Sequence, residues 1–202
     1  MPNAAQMKEL LLQSLEHEKG GVQVYQTALE CVRNKDLKKE WTKYFEQTQN
    51  HVKVLTEVCA ALEFDPDETT PGRQIVKHTG AGLVKAMKMA LAAGNAAGAE
   101  LVACECVVIA ETKDHFDWEL IGQCAKASSG EVKGVLQAAY DQIEDEEDEH
   151  LYHTKGWCRE LWLKSLGLTS VLPPPEEKRD VKTAEDAAKV EKQRKKAVAA
   201  PA

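Results

Sequence analysis

The sequence predicts an all-α fold: four long amphipathic helices packed as a bundle, with a long crossover between the second and third. Three observations point to it. Alanine is abundant and aromatic residues make up only 5% of the 202-residue chain, a composition that favours helix over strand. Apolar residues recur in alternating steps of four and three along four stretches of roughly 30 residues each. Turn-forming residues fall between those stretches, at Asn34–Asp36, at the Pro- and Gly-bearing segment 65–72, at Gly94-Asn95 and at Ser128-Ser129-Gly130.

The first helix is expected from about Asn3 to about Arg33, with Leu11, Leu15, Glu18, Val22, Tyr25, Leu29 and Val32 along its inward seam. Gly20-Gly21 inside it costs roughly 1 kcal/mol per residue relative to Ala, so close helix packing or room near a site is expected there. A tight connection makes the second helix an antiparallel neighbour. It ends near Leu62 and carries Leu37, Trp41, Tyr44, Thr48, His51, Leu55, Val58 and Leu62 inward. Asp65-Pro66-Asp67 and Thr70-Pro71-Gly72 break the pattern, and residues 73–93 read as one or two short helices within the crossover. The third helix spans Ala96 to Ala127, with Leu101, Cys104, Val108, Glu111, His115, Trp118, Gly122 and Ala125 in register and Asp114 beside Glu111. The fourth runs from Glu131 to about Leu166, where Gly167 is a natural stop. Residues 1–169 therefore form the bundle domain. Leu172-Pro173-Pro174-Pro175 closes it, and residues 170–202, charged and without an apolar stripe, are expected to form a flexible tail.

Composition excludes several classes. A formal net charge of −7 argues against a general nucleic-acid binder, which needs clustered cations. The short basic run Arg194-Lys195-Lys196 is where nucleic acid or an acidic partner would touch. No run approaches the ~20 apolar residues of a membrane span, and the N-terminus lacks the basic and apolar blocks of a secretory signal. A cytoplasmic protein with no membrane partner is expected. The six cysteines lie within helical patterns, and Cys104-Glu105-Cys106 places its thiols on different helix faces, so they read as small reduced hydrophobes.

The chemistry concentrates in Ile143–His150, IEDEEDEH. A charge run usually marks a solvated face. Here the seam of the fourth helix, Leu136, Tyr140, Ile143, Glu147, His150, Thr154, Trp157 and Leu161, takes an acid and an imidazole inward. Both are costly to bury uncompensated, and a metal ion compensates them. The other helices carry matching midpoints: Glu18 in the first, Thr48 with His51 in the second, Glu111 in the third. Taken singly, each reads as a snorkelling acid, a hydrogen-bonded core histidine or a surface pair. Together, in chain order, they follow the pattern of di-metal-carboxylate bundles, in which two helices give one Glu and two give Glu-x-x-His. Glu18, His51, Glu111, Glu147 and His150 are the expected metal ligands, with Asp114 auxiliary; Glu18 and Glu147 would bridge the ions and the histidines would cap them. Mixed oxygen and nitrogen donors with open positions suit iron or manganese, and such a pair can hold oxygen or peroxide. Thr48 occupies an expected Glu position, for which Gln47, Glu46, Asp114 or Glu144 could stand in.

Over residues 5–166 the chain resembles the YciE/YciF-like group of bacterial ferritin-like stress proteins, through the crossover, FEQTQNHVKVL in the second helix and AETKDHFDWELI in the third. In that group the third helix carries an acid-x-x-acid pair, here Glu111 and Asp114. The resemblance implies a ferritin-like, rubrerythrin-type four-helix bundle with a di-iron centre, commonly a homodimer, associated with the stress response. Reaction of Fe(II) with peroxide or oxygen is the activity expected, of ferroxidase or peroxidase type. The alternative is a metal-free or single-metal bundle acting as a structural or interaction protein, the reading that Thr48 favours.

Overall fold

Short polar side chains start the helices at the sequence breaks. In the computed structural model, which describes residues 2–179, 181 and 183–199, Asn3 accepts from the amides of Ala5 and Gln6 to begin α1, Ala4–Cys31. Asn34 caps α2, Lys35–Ala61, and Thr70, followed by Pro71 in the first turn, caps α3, Pro71–Ala92. Asn95 caps α4, Ala96–Ala127, and α5 covers Gly130–Ser165. Each such cap satisfies amide donors that the helix itself leaves open. A single 3-10 turn, Pro175–Lys178, and a sixth helix, α6, Ala184–Ala199, complete the regular elements among the described residues, all of them helical.

The expected crossover is a single 22-residue helix, α3, rather than two short ones. α1 packs against α2, α3 and α4, and α5 packs against α4 and α2. The four long helices thus close a ring, with α3 outside it along α1 and α4. No helix among the described residues is long and apolar enough to cross a membrane, and no cysteine among them is disulfide-bonded.

Burial largely follows the expected seams, with shifts of one residue. In α4 the buried line passes through Val107 and Asp114, while Val108 and His115 are only partly buried. In α1, Gly21 and Ala28 are buried in place of Val22 and Leu29. Gly20 and Gly21 serve close packing: a Cβ on Gly20 would lie 3.9 Å from the Gly80 Cα of α3, and one on Gly21 only 3.2 Å from the Thr48 methyl of α2. Backbone proximity at these crossings offsets the helix-propensity cost.

The apolar core is divided in two. One cluster contains Val24, Tyr25, Trp41, Tyr44, Val107 and Trp157; the other contains Leu11, Leu15, Leu55, Ile121, Leu136 and Ile143. Between them in sequence, on all four long helices, lie the buried polar residues Glu18, Thr48, His51, Glu111, Asp114, Glu147 and His150.

The C-terminal segment departs from the expected flexible tail. Val181 and Val190 bury against Leu151 and Tyr152 of α5. Arg194 clamps Glu160, with Nη2 donating to Oε2 at 2.9 Å, and Arg159 donates to both oxygens of Glu176 at 2.8 and 3.0 Å. Two valines are too sparse to register as an apolar stripe, and the ion pairs form only where Glu160 and Arg159 of α5 meet Arg194 and Glu176 of the segment. Charge-assisted forks of this kind are among the stronger hydrogen bonds.

α2 and α5 both end in a Schellman turn. In α5 the left-handed position is Gly167, and the Leu168 amide returns to the Leu163 carbonyl at 2.9 Å. In α2 it is Glu63, at φ 59°, with the Phe64 amide returning to the Cys59 carbonyl at 2.8 Å. A residue with a Cβ is strained there. Glu63→Gly is expected to stabilise the protein by about 1 kcal/mol, read as a higher denaturation midpoint at unchanged slope.

Candidate metal centre

Each long helix delivers its polar side chain to one layer. Glu147 of α5 stands at the middle of it: its Oε1 lies 2.9 Å from Nδ1 of His51 and 3.6 Å from Nδ1 of His150. The Glu18 Oε1 is 3.4 Å from the same His51 nitrogen, and the Glu111 Oε2 is 3.5 Å from the same His150 nitrogen. The two imidazoles face each other with ring centroids 5.6 Å apart. Two ligand sets result, Glu18–His51–Glu147 and Glu111–Glu147–His150, each with its donor atoms within 4.8 Å of one another. Glu147 belongs to both; Glu18, expected to bridge as well, belongs to one.

The histidines are aimed from behind. Nε2 of His51 lies 2.8 Å from Glu146 and Nε2 of His150 lies 3.0 Å from the Gln47 carbonyl oxygen. With that carbonyl accepting, the His150 proton sits on Nε2 and the Nδ1 lone pair turns toward the carboxylates. Metal-ligating histidines are held by outer partners in this way. The Trp118 indole N–H likewise fixes Glu18, donating to Oε1 at 2.9 Å. These outer partners, Gln47, Glu146 and Trp118, have no distinctive spacing in the sequence.

The layer is short of hydrogen bonds. Buried atoms without a hydrogen-bond partner include Glu18 Oε2, Glu111 Oε2, Asp114 Oδ1, both Glu147 oxygens and Nδ1 of both His51 and His150. Buried polar groups are nearly always satisfied, so a layer in which this many donor atoms converge without one is a place that could hold a cation.

Of the residues that could replace a glutamate at position 48, Asp114 alone is both buried and left with an unsatisfied oxygen. It lies outside both three-residue ligand sets. Glu46 is exposed, Gln47 backs His150, and Glu144 accepts from the Tyr140 hydroxyl. Thr48 itself is buried with its hydroxyl donating to the Tyr44 carbonyl at 2.9 Å, so it offers the centre no ligand.

A cavity of about 240 Å³ reaches Glu147 and Trp118 beside the His115–Asp148 pair, with Thr183 and Ala184 of the C-terminal segment on its rim. His115 Nε2 and Asp148 Oδ1 are 2.8 Å apart. His115 was expected in the α4 seam; it stands at this opening instead.

No family model matches the chain, and no characterised protein or solved structure does. The case for the centre therefore rests on its geometry and electrostatics.

Without an ion, protons must balance the acids. Burial, reinforced by Glu111 and Glu18, raises the Glu147 carboxyl from 4.5 to about 7 despite its contact with His51. Burial and then the charges of Glu147, Glu18 and Glu111 hold Asp114 well above the usual carboxylate range. At His51 burial favours the neutral ring, but Glu18, Glu146 and Glu147 outweigh it and raise the pKa well above 6.5. At Glu111 burial is likewise outweighed, by His150, and the pKa is lowered.

The raised Glu147 pKa penalises folding once that group must ionise, and the raised His51 pKa withdraws stability as its proton is lost. Both effects reduce stability as pH rises. The metal-free protein is therefore expected to lose stability between about pH 5 and pH 8, with Glu147 contributing about 3 kcal/mol at 1.36 kcal/mol per unit. Thermal melts across that range check the sign. Metal loading should release protons and remove the loss.

Proposed function

We propose that this is a ferritin-like di-metal-carboxylate protein that binds two iron or manganese ions and consumes peroxide or oxygen during stress. The observation that carries the reading is Glu147, shared by two Glu–His sets in which both Nδ1 atoms, both Glu147 oxygens and Glu111 Oε2 have no hydrogen-bond partner outside the layer. Charge supports it. Glu18, Glu111, Asp114 and Glu147 are four buried carboxylates, which together neutralise two divalent ions. The ring of α1, α2, α4 and α5 with α3 in the crossover fits the same architecture.

When bound, two Fe(II) ions would supply two electrons that reduce one hydrogen peroxide, with two protons, to two waters, leaving two Fe(III). The chain's own residues prepare for this. Glu146 and Gln47 orient the imidazoles, and Trp118 holds Glu18 at a fixed angle. The two apolar clusters keep bulk water from both ends of the polar layer. The narrow cavity beside Glu147 suits a small oxidant and not a large organic substrate. Tyr25, buried against Glu111, has its pKa raised well above 10, first by burial and then by that carboxylate. It stays a neutral phenol beside the centre.

A second reading, a structural bundle holding one ion or none, is favoured by Thr48 alone, because its hydroxyl is committed to the backbone. Iron counted after anaerobic Fe(II) loading separates the two. About two ions per chain are expected, Glu147→Gln should abolish both, and fewer than ~0.2 per chain would overturn the proposal. Thr48→Glu should tighten binding if ions occupy the layer, whereas in a metal-free core the added acid should cost a few kcal/mol of stability.

A further inference from the structure

We infer that Glu40, His153 and Glu177 form a second, outer site for a first-row divalent cation, assembled where the C-terminal segment docks onto the helices. The three come from α2, α5 and the 3-10 turn, and their donor atoms lie within 4.8 Å of one another. Ligand bonds of about 2.0–2.2 Å would close such a group with small side-chain movements. One imidazole and two carboxylates are donors that suit zinc, manganese, iron(II) or cobalt(II).

Two features distinguish this group from a solvated acid cluster. His153 is an imidazole only 7% exposed, so its position is fixed by packing and not by solvent. Glu177, from a segment with little regular structure, is also held: the Trp157 indole N–H donates to its Oε1 at 2.5 Å. The nearby cation Lys43 is committed to Glu149 at 2.5 Å. Lys178 and Arg179 line the adjoining surface cavity of about 430 Å³, and Arg179 donates to Gln193.

The sequence also makes room for the segment that delivers Glu177. Gly156 lies in mid-α5, where a Cβ would stand 2.7 Å from Glu176 Oε2 and 3.1 Å from the Pro174 Cβ. A helix-weakening residue is kept where the turn must approach.

Tyr44 places the outer group one side chain from the inner layer. Its hydroxyl lies 3.1 Å from Nδ1 of His153, and its ring centroid 4.3 Å from that of His150. The outer acids are closer to solvent than the inner ones, which suits a site that takes up ions first. This ordering rests on the inner centre; the binding at Glu40, His153 and Glu177 does not.

Equilibrium dialysis of the full-length chain against Co(II) tests the proposal. Wild type should bind one ion more than Glu177→Gln, while Glu147→Gln should keep one ion and lose the inner pair. Glu40→Gln, on the separate helix α2, should reproduce the Glu177→Gln loss should the latter misfold. Equal Co(II) counts in wild type, Glu40→Gln and any folded Glu177→Gln protein would overturn the outer site. Wild type and Glu147→Gln binding one ion alike, with Glu177→Gln binding none, would uphold it while refuting the inner centre.

Discussion

One carboxylate organises the interior. Glu147 meets the inward nitrogens of both His51 and His150, and its carboxylate is the one that the two imidazoles share. Burying an acid against unprotonated nitrogen is unfavourable, so the layer requires either protons or metal cations. In the metal-free chain the raised pKa values of Glu147, Asp114 and His51 show protons filling that role. The division of the apolar core into two clusters follows, because the packing must part around a layer that cannot be made dry.

That layer is held with more precision than stability alone demands. Gln47, Glu146 and Trp118 fix the outer edges of the ligand set, and Gly21 accommodates the Thr48 methyl so that α1 and α2 can approach at the same level. A purely structural polar core would be expected to pair its groups with one another. Here the outer contacts are satisfied, while inner atoms such as Glu18 Oε2, Glu111 Oε2 and Asp114 Oδ1 have no hydrogen-bond partner.

Much of this was legible in the sequence. The four long helices, their breaks at Asn34, Gly94-Asn95 and Ser128–Gly130, and the inward positions of Glu18, His51, Glu111, Glu147 and His150 follow from periodicity and turn chemistry. Periodicity fixes a helix face only to about one residue, which is why Val108 and His115 were placed in the α4 seam that Val107 and Asp114 occupy. The supporting residues escaped notice because an outer hydrogen bond carries no spacing rule. The docking of the C-terminal segment is not legible for a different reason: it depends on Arg194 meeting Glu160 and Arg159 meeting Glu176 across the fold, and local sequence does not report such meetings. For the same reason Glu177 was not associated with His153.

Thr48 on α2 brings no carboxylate to the layer while α4 buries both Glu111 and Asp114, which leaves the interior lopsided. Glu18 is the one acid from the α1 and α2 side, facing two from α4 across the shared Glu147. The two imidazoles consequently sit in unlike surroundings, His51 toward Glu18 and Glu146 and His150 toward Glu111 and Gln47, which gives the interior of the bundle a direction.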